Sequence, residues 1–107
     1  MSLKTAGIRV SIVEYIDASN PGWVKAIFTD VGGREWSIVE KLPLVTKEYL
    51  DENSQYPVNG FIAGTIISQT VYDGMEVVTI DLRQPWSIAS EEGQELFDVF
   101  KEQIIEI

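Results

Sequence analysis

The stretch from Trp23 to Lys41, WVKAIFTDVGGREWSIVEK, constrains the fold more than any other part of this chain. Two runs rich in β-branched and aromatic residues flank Asp30, Gly32 and Gly33. That is how a sequence encodes a β-hairpin, with glycine supplying the positive φ that a tight connection needs. Alternation sorts the side chains: Val24, Ala26 and Phe28 fall on one face, Lys25 and Thr29 on the other, and Trp36 and Ile38 form the inward pair of the return strand. An isolated hairpin is marginal in water, so the remaining residues must extend this ribbon into a sheet.

The flanking segments fit that demand. Ile8, Val10 and Ile12 alternate with Arg9 and Ser11 as in a half-buried strand, and Asp17 to Gly22 is a cluster of turn formers. Lys41 to Val45 reads as extended, with Pro43 marking an edge, a strand end or a corner because it has no N–H to give. Thr46 to Asn53 is the one short helical expectation of the first half, with Thr46 as its N-cap. Tyr56 to Gly60 is a break, with the Tyr56–Pro57 bond expected in the default trans form. Phe61 to Val71 is apolar on both faces around Gly64, as suits a strand buried on both sides or curling at a barrel seam. Asp73-Gly74 predicts a tight turn into the strand Glu76 to Leu82.

The last third admits two readings. Leu96, Val99, Phe100, Ile104 and Ile107 fit a helical stripe with Ser90 as its cap. Gly93 near the first turn, and Phe97 on what would be the solvent face, oppose it, and Ser90 to Gly93 makes a good type I turn. The reading adopted is a hairpin in which Pro85 to Ala89 pairs with Glu95 to Phe100, followed by a short terminal segment. Turn signals at intervals of about 8–12 residues then predict an all-β chain. The expectation is a small antiparallel β-barrel of six to seven short strands with at most one short helix, forming a single domain over residues 1–107.

Composition narrows the chemistry. With 17 acidic and 8 basic residues the net charge is −9, a field that repels phosphate backbones and anionic membrane surfaces and favours a basic protein partner. The apolar runs are too short for a membrane helix, which points to a cytoplasmic or otherwise soluble protein. Histidine and cysteine are absent, which removes Ser-His-Asp and Cys-His catalysis, imidazole zinc sites and disulfides. No cofactor is expected, since Asp30 to Arg34 joins two strands and lacks the helix that a phosphate cradle requires. Lys25 and Lys41 are read as solvated on outer faces rather than as buried Schiff-base lysines. Paired carboxylates are the remaining catalytic option, with Glu14, Glu40, Glu76 and Asp81 as the acids near strand ends. Asp51-Glu52-Asn53 offers oxygen ligands but lacks the spacing of a calcium loop, so no metal site is assigned.

The aromatic residues Tyr15, Trp23, Trp36, Tyr56, Tyr72 and Trp86 fall near strand ends and turns, where rings either seal a barrel mouth or present a binding surface. The binding candidates are Trp86 on the corner Arg83-Gln84-Pro85-Trp86, Tyr56 before Pro57, Arg83 itself and Trp23. In this reading Trp86 and Tyr56 share an exposed patch rimmed by Asp and Glu.

Several segments, namely Pro21-Gly22-Trp23-Val24, the turn from Asp30 to Trp36, Glu40 to Val45, Tyr56 to Gly60 and Ser90 to Val99, together resemble a family of small uncharacterised bacterial proteins of about this length. The resemblance covers nearly the whole chain and implies a bacterial source, a one-domain β-rich fold and the final hairpin. No activity is assigned to that family, so it transfers no site residue.

The functional expectation is a non-catalytic protein–protein interaction module with an acidic, aromatic surface, acting on a basic protein or, through an edge strand, on a second copy as a homo-oligomer. A small enzyme using paired carboxylates in the barrel mouth is the alternative. Single-strand nucleic-acid binding is third, disfavoured by charge.

Overall fold

The computed structural model describes residues 4–107, which form an antiparallel sheet curled into a half-barrel. Its strands are β1 (Lys4–Asp17), β2 (Trp23–Thr29), β3 (Glu35–Lys41), β4 (Val58–Tyr72), β5 (Met75–Asp81), β6 (Leu96–Phe100) and β7 (Ile104–Ile105). They run β3-β2-β1-β4-β5-β6 across the sheet, and β7 returns to pair with β1. The all-β expectation holds, although β1 and β4, at 14 and 15 residues, are not short strands.

The β2–β3 hairpin forms in the register its alternation demands, with Ala26 opposite Ile38 and Phe28 opposite Trp36. Val24, Ala26, Phe28, Trp36 and Ile38 are all buried. β1 joins this hairpin to the rest. One of its edges pairs with β4 from Lys4 to Ile12, while the other is shared by β7 at Gly7 and Ile8 and by β2 from Ser11 onward.

Curvature needs close approach on β4. A Cβ on Gly64 would lie 2.7 Å from Ile80 Cγ1 and 2.9 Å from Leu82 Cδ2, so only glycine fits beneath these core side chains. Beyond Ile66, the last position paired with the described part of β1, β4 continues paired with β5 as an arm that β6 flanks along Val77 to Asp81, its tip from Val71 to Glu76 reaching past β6. Asp73 (φ 52°) and Gly74 (φ 76°) turn that arm as the Asp-Gly signal predicts. The half-barrel draws together where the Val31 N–H donates to the Asp98 carbonyl (3.0 Å) and the Glu91 N–H to the Ser37 carbonyl (2.9 Å). Inside, Phe97 meets Phe28 and Trp36 edge-on, with ring centroids 5.0 and 5.1 Å apart, tying β6 to the first hairpin.

Four expectations are corrected. Thr46 to Asn53 is irregular rather than helical, because its own side chains satisfy the local backbone: Thr46 Oγ1 accepts the Glu48 N–H at 3.0 Å and Asp51 Oδ1 the Asn53 N–H at 2.8 Å. Lys41 to Val45 does not stay extended; Leu42–Leu44 is a 3₁₀ turn, and Pro43 is its corner. The Tyr56–Pro57 bond is cis, as are Asn20–Pro21 and Gln84–Pro85. Leu96–Phe100 is a strand rather than a helix, but its partner is not Pro85 to Ala89. β6 pairs with β5, Val78 opposite Val99 and Ile80 opposite Phe97, which fills β5's free edge and buries Phe97. Proline lacks an N–H for the ladder at Pro85 and Ser87 holds a positive φ of 56°, so that stretch turns instead of pairing. Among the described residues no helix is long and apolar enough to cross a membrane.

Candidate functional site

β5 ends at Asp81, and this carboxylate sets the loop that carries the first candidate surface. Asp81 is buried and accepts the Arg83 N–H at 2.9 Å, while the Arg83 guanidinium reaches it through Nε at 3.0 and 3.1 Å and through Nη2 at 2.7 Å. The Arg83 side chain holds the Asp81 carboxyl below the usual carboxylate value, against the opposing effect of burial. From this anchor the chain turns, the Ser87 N–H donating to the Arg83 carbonyl at 3.0 Å. Trp86 stands on that turn with 55% of its surface exposed.

The other two candidates lie elsewhere. The Tyr56 ring packs against the margin of the core, and its hydroxyl donates to the Asp51 carbonyl at 2.7 Å. Burial pushes this phenol's pKa up. Trp23 is half-buried, with Lys41 Nζ 5.6 Å from its ring centroid. Trp23 pairs with Asp17 at the far end of β1, and Tyr56 precedes Val58, which pairs with Ile12. Arg83 and Trp86 instead follow Asp81, which faces Thr65, the partner of Thr5 at the near end. Arg83 and Trp86 therefore share one loop, and Trp23 and Tyr56 belong to the opposite end of the sheet.

The acids are likewise dispersed. Asp81 is engaged by Arg83, Glu76 has Lys101 Nζ at 3.6 Å at the other end of β5, and Glu14 and Glu40 lie on β1 and β3. Among the described residues no three Asp or Glu side chains gather in a geometry that would hold a metal ion. Lys25 is half-buried with Glu91 Oε2 at 3.9 Å, and Lys41 is exposed.

At the end of β5 away from Trp86 lies a groove that the sequence reading did not single out. Val31 and Gly32 from the β2–β3 turn, Tyr72, Asp73, Met75 and Val77 from the arm, and Phe100 from β6 line a space of about 400 Å³. Tyr72 is 75% exposed, Val71 66% and Met75 46%. Glu76, Lys101 and Glu102 stand in an adjoining hollow that shares Met75 and Phe100, so the groove is largely apolar within, with Asp73 on its wall and Glu102 and the Glu76–Lys101 pair beside it. A local signal existed in Val71, Tyr72 and Met75, large apolar residues around a turn that normally carries polar ones. Their convergence with Val31 and Phe100 depends on barrel closure, which no local pattern records. Comparison with protein-family models, with curated proteins and with solved structures gave no match.

Proposed function

We propose that this protein is a non-catalytic protein-binding module whose groove between the β2–β3 turn and the β4–β5 arm takes a segment of a basic partner carrying an apolar anchor. The observation that supports it most is the exposure of Val71, Tyr72 and Met75 beside an apolar groove of about 400 Å³ lined also by Val31 and Phe100. Aromatic and methionine side chains of this kind are enriched at the centres of protein interfaces. The occupant's charge follows mainly from the whole-molecule field: Asp73 lines the groove, Glu102 and the Glu76–Lys101 pair stand in the adjoining hollow, and the net charge of −9 attracts a basic segment and repels an acidic one. Trp86, exposed on the Arg83 loop, is the competing contact at the other end of β5.

A peptide array that varies the charge around Leu, Phe or Trp anchors tests this reading. Binders should carry Lys or Arg beside the anchor, weaken at high salt and lose binding to the double variant Tyr72→Ala, Met75→Ala. Selected peptides with no charge preference, or with undiminished binding to that variant, would count against it.

A further inference from the structure

On the outer face of β1 the described residues make a second, chemically opposite site. At Arg9 and Val10 one edge of β1 changes partner: β7 holds Gly7 and Ile8, β2 begins at Ser11, and among the described residues these two have a strand partner only on the opposite edge, in β4. Successive residues of a strand point their backbone groups to opposite edges, so one of the two presents its N–H and C=O into this notch. Gln103 frames the opening, with Nε2 donating to the Thr29 carbonyl at 2.8 Å and Oε1 accepting the Phe100 N–H at 2.8 Å.

Two adjoining hollows of about 400 and 350 Å³ meet at Arg9, Val10 and Asn59. Phe61, opposite Arg9 on β4, and Ile105 wall the first, and Ile27 and Ser11 the second. Gly7 keeps this face open for the C-terminal residues, since a Cβ there would come within 3.0 Å of Ile107 and 3.2 Å of Ile105. In a chain with 17 acidic residues, neither hollow has one among its described lining residues. Among the described residues, the ion pairs formed by Arg34 with Glu92 and Arg83 with Asp81 have no counterpart at Arg9, which is exposed.

The geometry points to a binding site for a carboxylate borne on an apolar body. A guanidinium matches a carboxylate bidentately, the Asn59 amide and the notch backbone offer neutral hydrogen bonds beside it, and Phe61, Ile105 and Ile27 take the apolar part. One cation inside a field of −9 suits a singly charged anion, because a phosphate dianion doubles the long-range repulsion while gaining no second cation. The carboxylate comes either from a free small acid or from the C-terminus of a chain.

Amide and side-chain NMR titrations with benzoate and with neutral benzamide test the site, alongside an apolar tripeptide with a free or an amidated C-terminus. Benzoate or the free-carboxylate peptide should shift the signals of Arg9, Ser11, Asn59, Phe61 and Gln103, while benzamide and the amidated peptide should not. Arg9→Gln should weaken binding at least about tenfold, as expected for a lost charged hydrogen bond, with its own spectrum reporting an intact fold. Arg9→Lys should retain part of the affinity. Tighter binding of the peptide identifies a chain terminus as the source, and tighter binding of benzoate a free acid. Equal shifts from charged and neutral probes, undiminished affinity in Arg9→Gln, or no shift from either carboxylate would overturn the assignment.

Discussion

The indole N–H of Trp36 donates to Asp30 Oδ2 at 2.8 Å, while Asp30 Oδ1 accepts the backbone N–H groups of Gly32 and Arg34 at 2.9 and 3.0 Å. One carboxylate thereby fixes the turn that begins the groove wall and orients a core aromatic across the hairpin. The Arg34 guanidinium lies 3.9 Å over the Trp36 ring and closes the same cluster from outside. Asp30→Ala leaves the indole N–H, on a ring that is 4% exposed, without its acceptor. It should cost about 1–3 kcal/mol, or roughly 4–8 °C in Tm per kcal/mol, by thermal unfolding.

Acid should destabilise the fold through a small set of carboxylates. For Asp30, burial pushes the pKa up, but hydrogen bonds from Trp36, Arg34 and Gly32 outweigh it and hold the group below its usual value. Asp81 is held low by Arg83, and Asp17 by the Ser19 backbone and hydroxyl. Folded values below those of the unfolded chain make this stabilisation complete above an unfolded pKa of about 3.9, and it disappears as pH falls through the folded values. Urea unfolding should therefore give a stability that is level in pH for these groups at neutrality and declines below about pH 4. Asp81→Asn should make that decline shallower.

The glycines of β4 should differ from those in turns. A Cβ on Gly60 would lie 2.5 Å from the Val45 carbonyl oxygen and one on Gly64 2.7 Å from Ile80, whereas Gly74 has nothing within 4 Å. Gly60→Ala and Gly64→Ala should each lose about 1–3 kcal/mol by overpacking in denaturant unfolding, Gly60 the more because its neighbour is backbone. The strain at Gly74→Ala comes only from its φ of 76°.

Much of this architecture was legible locally. Alternation at Val24, Ala26 and Phe28 and the Asp73-Gly74 pair are self-contained signals, and Gly64 inside an apolar strand marked the close approach that the sheet makes there. Pairing between distant strands was not legible: Phe97 alternates equally well against either neighbour, and only the unfilled edge of β5 decides which one it joins. The same limit applied to the sites. Trp86 could be read as exposed because it stands on a turn, but Tyr56 hides in the core margin through a bond to Asp51 that no spacing announces. The groove requires Val31 and Met75, 44 positions apart, to meet.

Phe97 is the seam of the half-barrel, 2% exposed and in edge contact with Phe28 and Trp36. Phe97→Ala should cost about 3–5 kcal/mol, and Phe97→Leu distinctly less, in equilibrium denaturation. By contrast Tyr72→Ala and Met75→Ala, on the exposed arm, should stay within about 0.5 kcal/mol of the parent.

The footprint of an array-selected basic peptide, mapped by amide and methyl chemical shifts at low and high salt, bears most directly on the proposed function. Binding in the groove should give shifts centred on Val31, Tyr72, Met75, Val77 and Phe100 that weaken with salt and vanish in the Tyr72→Ala, Met75→Ala variant. Shifts centred instead on Arg83 and Trp86, or a footprint at the groove that salt leaves unchanged, would contradict it.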